Sequence, residues 1–151
     1  FFFKQKTAYE IVDCDWSSDV CSSDLDLGAP SDRLVEAFRG VDLLCIEANH
    51  DVEMLRVGPY PAYLKSRIAN GRGHLNNDQT AAFMDAVSTP SLRAVLLLHL
   101  SEVNNTPEVA CASTKRGIHR RARKASLAAA VRRAPSAPIG MARAAQLALA
   151  I

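Results

Sequence analysis

The sequence has 151 residues, of which 48% are hydrophobic, 23% charged and 6% aromatic, with a formal net charge of +2. That length suffices for one soluble domain with a real core, and no run approaches the roughly 20 apolar residues that cross a bilayer. The first residues also lack the charged, apolar and small-residue order of a signal peptide, which argues against membrane and secreted classes.

The near-neutral total conceals three unlike segments. Residues 1–25 carry 2 basic and 5 acidic side chains, residues 26–111 carry 7 and 11, and residues 112–151 carry 9 and none. A folded domain mixes both signs over its surface, so these segments are expected to have different origins or roles. Residues 1–25 have no helical or alternating apolar period and open without methionine, and they are expected to be disordered. Within them KQKTAYEI and DWSSDVCSSDL resemble translated sequencing adapter, which makes a non-native origin the expectation, with a native, partly disordered arm as the alternative. Setting that segment aside removes Cys14 and Cys21. Cys45, in the apolar run LLCI, and Cys111 then remain; neither lies in a Cys-x-x-Cys pair, so buried reduced thiols and a cytoplasmic setting are expected.

The first predicted element is a short helix in SDRLVEAFRG, with Ser31 as its cap, Leu34, Val35 and Phe38 on one face, and Gly40 closing it in the left-handed region. VDLLCIEA follows as a continuous apolar run of strand length, the pattern of a strand covered on both faces. Residues 51–70 carry Met54, Leu55, Tyr60, Tyr63, Leu64 and Ile68 with Pro59 and Pro61 between them, which predicts two short helical pieces. GRGHLNN reads as a loop, and Asn77 is expected to cap a helix with Ala81, Phe83, Met84 and Val87 on its apolar side. LRAVLLLHL is a second continuous strand. Thr106 as cap, Pro107 at the first position and Glu108 near the positive dipole end start a last helix. Helix, strand, helices, strand, helix is an α/β layer order.

Polar residues fall where such a sheet collects ligands, outside the carboxyl ends of its strands. Asp26, Glu47, His74 and His99 are the candidates for convergence there. Glu47 is the most informative, because a carboxylate after an apolar run costs free energy unless a histidine, a metal or an arginine pairs with it, or it caps a helix. His99, ending a buried strand, reads in isolation as a hydrogen-bonded core or rim residue, His74 as a solvated loop histidine, and Asp26 as a turn or cap residue. His50 and Asp51 are either partners behind the site or the start of a helix, the second being preferred. No H-x-H, H-E-x-x-H, Cys-x-x-Cys or Gly-rich phosphate loop occurs.

Six pieces in order carry a resemblance: DLG at 26–28, LLCIEANHD at 43–51, EMLR at 53–56, GPYP at 58–61, GHLNN at 73–77 and LHLSEVNNTPE at 98–108. Together they resemble the C-terminal half of a metallo-β-lactamase-fold hydrolase, of the bacterial phosphodiesterase and nuclease subgroup related to the tRNA 3′-processing endonuclease. The resemblance covers residues 26–111. It implies a four-layer αββα sandwich and two divalent metals, zinc or manganese, at the sheet edge, which neutralise charge on a phosphodiester and activate water. Asp26 resembles the bridging aspartate of the family's T-D-x-G motif, although Leu25 stands where the threonine belongs. His99 resembles the last metal-binding histidine. Glu47 and His74 resemble the catalytic pair that handles proton transfer and contacts the scissile phosphate, with GHLNN in place of the commoner GHLSN.

The family's H-x-H-x-D-H motif, which supplies most of its metal ligands, has no match here. His50, His74, His99 and His119 cannot complete a binuclear site, so the chain as given is expected to be an inactive fragment of a metal-dependent phosphodiesterase or nuclease. Thioester or lactam hydrolysis stays open within the same fold. Residues 112–151 hold 13 alanines and the run RRARK at 120–124. They read as a divergent or frameshifted tail ahead of a nucleic-acid arm or a helix covering the sheet, because no aromatic residue there can stack on bases. The rival function is a non-catalytic nucleic-acid-binding protein that uses this tail through Arg120 and Arg121.

Overall fold

The computed structural model describes residues 30–70, 73–118 and 122–130. Asp26, the adapter-like segment, Arg120, Arg121 and most of the basic tail lie outside the described residues.

Eight elements follow in chain order: α1 (Asp32–Phe38), β1 (Leu43–Glu47), α2 (Val52–Val57), α3 (Ala62–Ala69), α4 (Asn77–Val87), β2 (Ala94–Leu98), α5 (Pro107–Gly117) and β3 (Ser126–Ala129). The three strands form one parallel sheet in the order β1-β2-β3. Leu43 pairs with Ala94 and Glu47 with Leu98 at the two ends of the first ladder, and Ala94 pairs with Ser126 at the start of the second. Parallel strands need crossovers, and α2, α3 and α4 supply the first while α5 supplies the second. The α/β class expected from the sequence is therefore present as a small parallel sheet.

Local chemistry explains most boundaries. The Ser31 hydroxyl accepts from Leu34 N at the start of α1, the Asp51 carboxylate from Glu53 N and Met54 N at the start of α2, and the Thr106 hydroxyl from Val109 N at the start of α5. Gly40 adopts φ 78° just after α1, as its position suggested. The cap of α4 differs from the expectation by one residue. Asn76 accepts from Gln79 N while Gln79 Oε1 accepts from Asn76 N, a reciprocal capping box that leaves Asn77 as the first helical residue with a buried side chain.

Leu44, Ile46, Val95 and Leu97 of the sheet pack with Leu34, Phe83, Met84 and Val87 in one core. Phe38 meets Phe83 edge-on with centroids 6.0 Å apart. The continuous runs predict strands covered on both faces; the core lies on one of them, and Leu43, Cys45, Leu96 and Leu98, which alternate with the core side chains along β1 and β2, are half-buried on the other. Helix α5 passes through residue 112 to Gly117, where a Cβ would collide with the Ala81 carbonyl, so α4 and α5 approach closely only because that side chain is missing. Residues past 112 thus furnish half of α5 and all of β3.

Candidate active site

Glu47 is the last residue of β1, and its side chain is completely buried. The strand carries it to the carboxyl edge of the sheet, where β2 ends beside it and His99 follows one residue after Leu98. His74 arrives from the segment before α4. The Oε1 atom of Glu47 lies 2.8 Å from His74 Nδ1 and 2.9 Å from His99 Nδ1, and Oε2 accepts from Leu75 N at 3.3 Å. The two imidazoles meet edge to face, with centroids 4.9 Å apart. Of the open partners for a buried carboxylate, histidine is the one present.

The hydrogen-bond chemistry of this triad fixes its polarity. Where the Glu47 oxygen accepts, both Nδ1 atoms carry hydrogen and donate to it, which leaves each Nε2 to meet a ligand, as acceptor or metal ligand in the neutral ring and as donor in the protonated one. The rings also cover the charge: Glu47 is fully buried, while the side chains of His74 and His99 are 25% and 40% exposed. The triad therefore presents imidazole to solvent and keeps its anion inside.

Backbone strain helps to aim His99. It adopts φ 57°, the one positive φ outside glycine among the described residues, a conformation that costs a non-glycine residue about 1–2 kcal/mol. Asn49 offsets that cost. Its Nδ2 donates to His99 O at 2.9 Å, and its own carbonyl accepts from Ser101 N at 2.8 Å, so the turn is held on both sides of the ring.

Beneath the triad a second layer of buried polar groups is fully paired. Asn77 Nδ2 donates to Asn105 Oδ1 at 3.0 Å and Asn105 Nδ2 returns the bond to Asn77 Oδ1 at 2.9 Å. Asn105 also donates to Ala48 O, and the Thr80 hydroxyl donates to Glu47 O at 2.7 Å. These bonds lock the end of β1 to α4 and to the start of α5. Asn49, Thr80 and Asn105 had no role assigned from the sequence, and Asn77 only that of a helix cap; for Asn49 and Asn105 the run of polar residues after each apolar strand, EANHD and SEVNNT, was the available signal.

His50 and Asn104 behave differently. Both side chains are buried, and neither ring nitrogen of His50 nor either amide atom of Asn104 has a hydrogen-bond partner among the described residues. Burial lowers the pKa of His50, nearby His74 lowers it further, and Asp51 opposes both. Asp51 itself takes the helix-starting role expected of it. Cys45 and Cys111, expected to be buried, are each half-buried, and burial pushes the Cys111 thiol up.

A cleft of about 260 Å³ opens over the triad, with His74, His99, Asn49 and Ser101 among its lining residues. Glu47, His74 and His99 each offer one ligand atom within 4.8 Å of one another. With Nδ1 of both rings turned to Glu47, a divalent ion of the zinc class would be met by imidazole Nε2, with the carboxylate orienting the rings from behind. Of the four candidates for convergence, the structure brings together Glu47, His74 and His99, and Asp26 lies outside the described residues.

No family model matches the chain. Among curated proteins it is similar to exodeoxyribonuclease YycJ of Bacillus anthracis and exodeoxyribonuclease WalJ of Streptococcus pneumoniae, with 42% identity over 85 residues in each case. The aligned part is 56% of this chain and 32% of each relative, so the chain spans about a third of the length of the curated relatives it matches. Over those 85 residues the chain is thus similar to exodeoxyribonucleases of two bacteria.

Proposed function

We propose that this chain is part of a metal-dependent hydrolase of the metallo-β-lactamase fold that cleaves phosphodiester bonds in DNA. The observation that carries this reading is the Glu47–His74–His99 triad at the carboxyl edge of a parallel sheet, in a chain similar to two exodeoxyribonucleases. The half-buried alternate residues of β1 and β2 suit a sheet with a further layer on its second face, as a four-layer sandwich requires.

His99 and Asp26 serve as metal ligands in this reading, and an H-x-H-x-D-H motif elsewhere in the parent protein completes a binuclear site. Divalent ions bound there supply charge neutralisation on the phosphodiester and an acidified water. Glu47 fixes the tautomer and direction of both rings. His74, held through Nδ1, delivers a proton from Nε2 to the departing oxygen or donates a hydrogen bond to the charge developing on phosphorus-bound oxygen. Glu47 stays buried behind it and stabilises the cationic form of the ring between turnovers.

End-labelled DNA incubated with Mn²⁺ or Zn²⁺ tests this. The parent protein carrying H-x-H-x-D-H is expected to degrade the DNA, to stop on chelation, and to lose activity in His99→Ala and His74→Ala. The 151-residue chain alone is expected to show no turnover. Metal-dependent turnover by the 151-residue chain would contradict the division of ligands, and a parent protein that leaves DNA intact under all metals would contradict the substrate.

A further inference from the structure

The cleft over the triad has a second character. Beside its polar floor it is walled by Tyr60, Ile68 and Val103, and Glu102 stands on the same lining. A phosphate finds no side-chain donor on the apolar wall, whereas a protonated imidazole offers one, so a phosphodiester sits on the imidazole side. Each phosphate of a DNA strand is joined through its sugar to a base with a flat apolar face, and Tyr60 is the aromatic residue that shares the cleft with His74 and His99. We propose that Tyr60 is the residue on which a nucleobase stacks when a DNA strand presents its phosphate to His74 and His99. This assignment rests on the DNA-cleaving reading above and names the part of the substrate that the same cleft binds.

Tyr60 is held ready for that task. It lies between Pro59 and Pro61, whose rings fix their own φ angles, and between the C-cap of α2 and the N-cap of α3. Gly58 lies close to Asn104, and a Cβ there would meet the Asn104 amide and the Met54 carbonyl. The flanking helices are tied by Lys65 Nζ donating to Arg56 O at 2.8 Å. Every base has a π-face, so the contact is indifferent to sequence.

The experiment uses the full chain and DNA strands ending in 2-aminopurine, whose fluorescence is quenched on stacking, with strands ending in an abasic nucleotide as the control. Wild type and Tyr60→Phe are expected to bind and quench alike. Tyr60→Ala is expected to bind roughly 10- to 100-fold more weakly without quenching, and Tyr60→Leu, which keeps apolar volume, also loses the quench. The abasic end weakens wild-type binding by the same factor as Tyr60→Ala and weakens Tyr60→Ala no further. Full quenching by Tyr60→Leu, or multiplying effects of the variant and the abasic end, would overturn the stacking assignment alone. A wild-type chain that binds neither strand overturns this assignment, while the DNA-cleaving reading stands or falls with the parent-protein assay above.

Discussion

Two buried polar regions lie within a few residues of each other at the carboxyl edge of the sheet, and they are built on opposite principles. Around Glu47 every buried polar atom is satisfied: the carboxylate by two imidazoles and Leu75 N, Asn105 by Asn77, Ala48 and Thr106. Around His50 and Asn104 four buried side-chain atoms have no partner among the described residues. An unmade buried hydrogen bond costs about 1–3 kcal/mol, whereas a made one contributes about 1. The first region therefore acts as a rigid mount for the exposed imidazoles. The second stores a cost that the rest of the fold sustains.

The sharpest way to break this contrast is to remove the anion. Glu47→Leu leaves the buried Leu75 N and two partly exposed Nδ1–H groups without their acceptor, and the expected loss is about 3 kcal/mol in urea unfolding. Asn105→Ala comes next. It strips the partners from Asn77, Ala48 O and Thr106 N, for an expected loss of about 2 kcal/mol in the same assay. Asn49→Ala removes the bond that restrains His99 O, and about 1 kcal/mol is expected, together with a second conformer of the His99 ring in NMR spectra.

The smallest effect belongs to the unsatisfied region. His50→Leu is expected to fall within about 1 kcal/mol of wild type at pH 8, because it deletes groups that already lack partners. Its pH dependence is the better readout. The pKa of His50 is lowered in the fold, so as pH falls below the ordinary imidazole value of about 6.5 the unfolded chain takes up a proton that the folded chain resists. Wild type accordingly loses stability below that pH. The leucine variant is expected to lose less over the same interval, with Glu47, His74 and Asp51 unchanged in both proteins; equal slopes would place the titration elsewhere.

The sequence made the frame legible because the frame rests on short-range chemistry. Ser31, Asp51 and Thr106 are caps read from one residue and its neighbours, and the two apolar runs are strands read from their length. The cap of α4 slipped by one because two asparagines stand side by side, and only the return bond from Gln79 distinguishes Asn76 from Asn77. Which face of the strands carries the core was not legible, because an unbroken apolar run does not distinguish the buried Leu44, Ile46, Val95 and Leu97 from the half-buried Leu43, Cys45, Leu96 and Leu98. At the site, residue types nominated Glu47, His74 and His99. Their meeting depends on contacts 27 and 52 positions apart, and the left-handed turn at His99 has no local signature.

The central claim is that one buried carboxylate holds both imidazoles by Nδ1. Long-range ¹⁵N–¹H correlation of the histidine rings near neutral pH tests it directly. His74 and His99 are both expected to carry their hydrogen on Nδ1, and Glu47→Ala is expected to release both rings to mixed tautomers. Either ring found with Nε2–H and a bare Nδ1 in the wild-type protein would contradict the claim.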